Sequence, residues 1–366
     1  MNIPKLNKIK CVKKYHDIEL KDDYSWVDQP NILEVLKDSE KLLPDTKNYI
    51  QDNNEFTENY FKDVKNLQKK IFNEIKSKIK LDDTSLKFKD SKYYYWSKTE
   101  AKGNYGKRIR QLIDGSKPEE IFFDGDYEKK RHGSEYFGLG SVSVSYADRF
   151  LAYSLDLQGS EYYTIFIRDL DKNINEKDQI ENTSGSITWA LDSKSFFYSR
   201  LDKFHRPRQI FQHILGNSPS EDKLIFEEKD KTFTCSISIT SDENFFIIST
   251  SDHITVEEYF FSSKSKNIVP KLFLKREKDV RYSIDSWKDY FYVHTNKNAR
   301  DYKVLKCKID DIKNLEEFIP SKKETVIGGL DFLDEFIIRG EKSDAIPKLF
   351  IRNIKTNLEE EIIISD

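Results

Sequence analysis

The chain has 366 residues, enough for one large domain or for a large domain with a smaller companion. Charged residues make up 34%, yet the formal net charge is only −3. That balance excludes the net basic face that a nucleic-acid partner requires to displace phosphate counterions. Hydrophobic residues reach only 37%, but 20 Tyr and 25 Phe are present, and aromatic rings bury enough area each to offset a low aliphatic count.

Cys11, Cys235 and Cys307 stand far apart and form no CxxC pair. Neither a disulfide framework nor a zinc site is expected, and reduced thiols fit a cytoplasmic setting. The opening MNIPKLNKIKCVKKYHD lacks the apolar core of a signal peptide. No run approaches the roughly 18 apolar residues of a membrane span. No metal, cofactor or membrane partner is expected.

Residues 1–30 read as irregular chain, punctuated by Pro4 and Pro30. From Asn31 to about Lys80 the pattern is helical. Ile32, Leu33, Val35, Leu36, Leu42 and Leu43 mark one side of the first stretch. Phe61, Val64, Leu67, Ile71, Ile75 and Ile79 recur at spacings of three and four in the second, one face of a helix. Pro44 and Asp45 are expected to separate two helices.

After Leu81 short aromatic and β-branched runs alternate with turn residues, the pattern of strands. The runs repeat. Phe150, Phe196, Phe245, Phe291 and Phe336 step by 46, 49, 46 and 45 residues. In a second phased series, Ile180, Ile225, Leu272, Phe318 and Ile362 step by 45, 47, 46 and 44. A period in the middle forties with about four strands per unit marks propeller blades. A β-sandwich with long hairpins would space its turns more closely. The expected fold is mainly β: a lead segment over 1–85, then an incomplete β-propeller over 86–366. Six four-stranded blades begin near residues 86, 141, 186, 233, 281 and 326, with a loop over 127–140 between the first and second.

No GxSxG elbow, HExxH helix, P-loop or GxGxxG fingerprint occurs. In GLGSVSVS at 138–145, Ser141 follows Gly140 but the second Gly is missing, so the stretch reads as a blade's first strand. His16, His132, His205, His213, His253 and His294 are scattered, and each sits in a local strand or turn pattern. Asp22–Asp23, Asp82–Asp83 and Glu227–Glu228 read as turn or surface pairs, since sequence neighbours on a strand point to opposite faces. No catalytic residue is assigned, and the substrate-binding residues are not legible.

Four stretches carry a family resemblance, among them LQKKIFNEIKSKIKLDD at 67–83, similar to a family helix, and SLDLQGSEYYTIFIRDL at 154–170, similar to the blade before the third. HDIELKDDYSWVDQPNILEVLKDSE at 16–40 resembles the opening of the prolyl oligopeptidase family, with Asp22, Asp23, Tyr24 and Trp26 in the matching core. Val27 replaces the usual Leu, and Asp17 stands where the family has Gly. TWALDSKSFFYSRLDKFHRPRQIFQHILGNSPSEDKLIFEEKD at 188–230 resembles the oligopeptidase B branch through its W-x-x-D-S, R-P, H-x-x-G and D-K-L-I-F-E-E-K-D elements.

The resemblance implies a seven-bladed propeller that limits entry to short peptides. It implies an α/β-hydrolase domain that supplies a Ser-Asp-His triad and, in the oligopeptidase B branch, cleaves after Lys or Arg. About six blades fit within this sequence, so the seventh blade and the hydrolase domain are expected outside it, in a continuation or a separate chain. The chain alone is expected to be inactive. The alternatives are a stand-alone protein-binding propeller and the gating part of a prolyl-specific oligopeptidase.

Overall fold

The computed structural model describes residues 3–363. Its lead segment opens with a hairpin where irregular chain was expected: Val12–Tyr15 pairs antiparallel with Ile18–Lys21. His16 and Asp17 make the turn with φ +46° and +66°, the two left-handed residues that a type I′ hairpin needs. Neither is the Gly or Asn that usually announces such a turn.

The helices also begin and end elsewhere than the periodicity suggested. A single turn spans Ile32–Val35, and the long helix is Pro44–Tyr60. Pro44 starts that helix rather than separating two, because at the first position its missing N–H has no partner to lose. A short 3-10 turn at Lys62–Val64 interrupts the chain before the next helix, Lys65–Ser77. Leu67, Ile71 and Ile75 line one side of this last helix and are 55%, 48% and 58% exposed.

The chain divides into two compact units. One runs up to Leu139 and takes in Asp156–Glu161; the other holds Gly140–Leu155 and the chain from Tyr162 on. In the first unit, Tyr93–Thr99, Lys107–Leu112 and Glu120–Asp124 form an antiparallel sheet with two short strands on Tyr93–Thr99. The expected loop over 127–140 is in part a helix, Gly125–His132. Its signals are all present: the Asp124 carboxylate accepts from Tyr127 N, acids fill the first turn, bases fill the last, and Gly133 ends it at φ +63°.

From Gly138 onward the chain forms successive antiparallel meanders with strands in chain order, the first two joined into one sheet by the single pair Thr183–Arg200. The second blade comprises Gly138–Val144, Phe150–Asp156, Tyr163–Asp169 and Ile174–Thr183. The third comprises Thr188–Trp189, Ser195–Leu201, Pro207–Ile214 and Lys223–Glu227. The fourth is Thr234–Ile239, Phe245–Ser251, Val256–Ser262 and Lys271–Leu274. The fifth is Tyr282–Trp287, Tyr290–Thr295, Lys303–Lys308 and Glu316–Ile319. The sixth is Thr325–Phe332, Phe336–Ser343, Ile346–Asn353 and Glu359–Ile362. The repeating Phe lies in every second strand, and the second repeating series lies in every fourth strand.

The core lies between sheets. Successive residues on a strand point to opposite faces, and here each face meets a different neighbour. Phe196 packs with Ile165 and Ile180 of the second blade, while Phe197 packs with Phe246 and Ile248 of the fourth. Phe291 joins Phe260 of the fourth blade, while Tyr292 joins Ile327 and Ile337 of the sixth. Blades buried on both faces need near-continuous apolar runs rather than alternation. This stacking of four-stranded sheets is a β-propeller architecture.

Candidate functional site

The first strands of the fourth, fifth and sixth blades line one recess of about 250 Å³. Ser238 and Thr240 enter from the fourth blade, Ser283 and Asp285 from the fifth, and Gly329 and Leu330 from the sixth. The first strand is an edge strand of each of these sheets, called the inner edge, and the lining continues onto second and third strands through Ile247, His294 and Val304. Ile247, Tyr292 and Val304 are buried and supply an apolar floor.

Asp285 is the one carboxylate in the lining. Its Oδ1 accepts from the backbone N–H of Ser241 and of Ser286, each at 2.7 Å, and its Oδ2 accepts from Ser241 Oγ at 2.5 Å. Burial raises its pKa against these hydrogen bonds, and the charge of Asp242 adds to the rise. Among the described residues, no Lys or Arg forms an ion pair with Asp285. His294 also lines the recess. Its Nε2 lies 2.8 Å from the Ile327 carbonyl. A carbonyl only accepts, so Nε2 carries the proton. The ring stacks on Tyr302 at 4.6 Å, and burial lowers its pKa, so it stays neutral.

Behind the floor, Glu258 accepts from Ile284 N at 2.7 Å, and burial pushes its carboxyl up to about 8. Gly328 and Gly329 sit at a bulge between Ile327 and Leu330, and Gly329 is in the lining. A Cβ on Gly328 would stand 2.9 Å from the Gly340 carbonyl oxygen, whereas one on Gly329 would meet nothing within 4 Å.

The residues singled out in the sequence do not converge on a reaction centre. Ser141 lies in the strand Gly138–Val144, where its N–H donates to Ser154 Oγ. His16 and His205 sit in turns at φ +46° and +61°, and His132 ends a helix. The partners of the buried His213 are carboxylates, and the partner of His294 is a carbonyl. Glu228 departs from the surface reading of the Glu227–Glu228 pair: it is buried and accepts from Arg276 at 2.6 Å. Among the described residues, no three His, Cys, Asp or Glu are grouped to hold a metal ion. Among the described residues, no helix is long and apolar enough to cross a membrane.

A family model described as the prolyl oligopeptidase N-terminal β-propeller domain matches residues 4–364. The chain belongs to that family. Dipeptidyl aminopeptidase BI of Pseudoxanthomonas mexicana is 24% identical over 97% of this chain and 50% of its own length. Protease 2 of Moraxella lacunata is 22% identical over 94% of this chain and 49% of its own. Solved oligopeptidase B of Trypanosoma brucei superposes on all of this chain with a TM-score of 0.87 at 21% identity, over 54% of that chain. The chain therefore spans about half the length of the relatives it matches.

In this member of the prolyl oligopeptidase family, the third-blade motifs are joints between blades. Trp189 Nε1 donates to the Ser143 carbonyl at 3.0 Å, and Ser193 Oγ accepts from Ala147 N at 2.8 Å, both in the second blade. His213 Nδ1 lies 2.7 Å from Asp222, and Nε2 lies 3.3 Å from Asp178 of the second blade. Gly216, at φ +85°, donates its N–H to the same Asp178 at 2.7 Å. Burial opposes a charge on His213, but bonding first to Asp222 and then to Asp178 outweighs it and raises the pKa. The inner-edge recess left no comparable sign in the sequence. The Gly328–Gly329 pair was its visible trace, as adjacent glycines within a strand signal a bulge or a close approach.

Proposed function

We propose that this chain is the substrate-gating N-terminal part of an oligopeptidase B-like serine endopeptidase that hydrolyses short peptides after Lys or Arg. The observation that carries the reading is the family match over residues 4–364 in a chain that spans half of its relatives. In this reading residues 1–85 form the lead, and blades beginning near 86, 141, 186, 233, 281 and 326 restrict entry. A hydrolase domain supplies the Ser-Asp-His triad, and this chain alone hydrolyses nothing. The exposed apolar side of Lys65–Ser77 supports the reading, because a hydrolase surface would cover it. The motifs at 188–230 support the Lys/Arg branch over a prolyl-specific one. Free Cys11, Cys235 and Cys307 suit a cytoplasmic setting.

The test is a chimera in which this chain replaces the matching half of Protease 2 from Moraxella lacunata. Activity on short Arg-amide peptides with exclusion of a long unfolded protein such as casein is expected. A folded chimera that degrades casein as readily as short peptides would overturn the gating role.

A further inference from the structure

We propose that the inner-edge recess is a subsite for the basic side chain of a peptide, with its aliphatic stem on the apolar floor and its cationic head on Asp285. The proposal rests on the gating reading for its supply of peptides and goes beyond it by naming a recognition site within the propeller itself.

Shape, charge and access point to one occupant. At about 250 Å³ the recess is smaller than the roughly 300–1,000 Å³ of drug-sized sites, and it suits a single long side chain. Its floor is apolar while its rim carries the Ser238 and Ser283 hydroxyls and the Asp285 carboxylate. Lys and Arg are the side chains with an apolar stem and a charged head. Asp285 is held in place by three hydrogen bonds, which fix its position but supply no positive charge. A carboxylate offers about four lone-pair sites, so one remains for a ligand donor.

His294 does not compete for that place. Its Nε2–H is committed to Ile327, and burial keeps the ring neutral. An acidic ligand would meet the Asp285 charge, which no Lys or Arg among the described residues pairs, and a purely apolar one would shut its remaining lone-pair site away from water. Both are disfavoured in a half-buried site. Gly329 is in the lining, a Cβ there would meet nothing within 4 Å, and its φ is not left-handed, so a larger residue can be placed at this point.

The test uses the full 366-residue chain. Gly-Lys-Gly and Gly-Arg-Gly are titrated against Gly-norleucine-Gly, which keeps the stem and lacks the charge. Calorimetry reads the affinity, and amide shifts of Gly329 and His294 report the location. Lysyl and arginyl peptides are expected to bind about tenfold tighter than the norleucine peptide, with the difference shrinking in high salt. Asp285→Asn, whose amide oxygen can keep the bonds from Ser241 and Ser286, is expected to erase that difference. Gly329→Phe is expected to abolish binding, and Ser238→Phe is a second blocking variant in case the first perturbs the bulge. Equal binding of the norleucine peptide, or lysyl binding untouched by all three variants, would overturn the proposal. Hydrolysis plays no part in this readout, so a chimera that fails to exclude casein would defeat the gate and leave the recess standing.

Discussion

The third strands of the fifth and sixth blades differ in burial. In Lys303–Lys308, Val304 is 0% exposed and Cys307 is 2% exposed, because blades stand on both sides. In Ile346–Asn353, Ile346 is 59% exposed and Leu349 37%. The lead helix Lys65–Ser77 resembles the second case, with Leu67, Ile71 and Ile75 exposed along one side. An apolar pattern thus becomes a core only where a second surface meets it. The middle blades make such surfaces for one another; the sixth blade and the lead helix leave apolar side chains exposed.

Substitutions should break this contrast in order of size. Phe291 is fully buried and meets the rings of Phe245, Phe260 and Phe273 at 4.9, 5.2 and 5.3 Å. Phe291→Ala is expected to cost about 3–5 kcal/mol in urea unfolding. Ile71→Ala, on the exposed helix face, is expected to stay within about 0.5 kcal/mol. Equal losses would erase the distinction between the two regions.

Glu258 sharpens the contrast through pH. Its folded pKa, pushed up to about 8, stands above the ordinary 4.5. Stability is therefore full below the ordinary value and is lost as pH rises toward about 8. Glu258→Gln can keep an acceptor for Ile284 N and has no proton to lose. Its advantage over the parent should grow between those two values, by on the order of a few kcal/mol, in unfolding curves run at stepped pH. A pH-independent difference would contradict the buried acid.

His213 tests a joint between blades. With its folded pKa raised, its contribution is present below the ordinary 6.5 and is lost as pH rises through the folded value. Its ring resonances should titrate above the ordinary midpoint, and Asp178→Asn should bring that midpoint down. An unchanged midpoint would mean that Asp178 does not support the ring's charge. The smallest effect belongs to the lead hairpin. Asp17 at φ +66° carries a strain that glycine lacks, so Asp17→Gly should stabilise the chain by at most about 1 kcal/mol in thermal unfolding.

The propeller was legible because each blade repeats one physical problem, a sheet buried on both faces, and so repeats its aromatic residues. Phe196 and Phe197 face opposite neighbours, and that necessity puts Phe at regular intervals along the chain. The third-blade motifs were visible for the same reason: Trp189, Ser193, His213 and Gly216 hold one blade to the next. The recess was hidden because its lining comes from three blades, with serines and an aspartate that any turn could contain. Asp285 stands out only once the fold sets it beside the buried Ile247, Tyr292 and Val304, with no Lys or Arg among the described residues paired to it. The hairpin at His16–Asp17 was hidden because the residues at its left-handed positions are not the usual ones.

The propeller is proposed to gate a reaction that it does not itself perform. The most direct measurement of that claim is an assay of the purified chain on a small Arg-amide substrate, with and without a serine-directed inhibitor. No turnover above background is expected in either case. Turnover by the chain alone, abolished by the inhibitor, would contradict the claim.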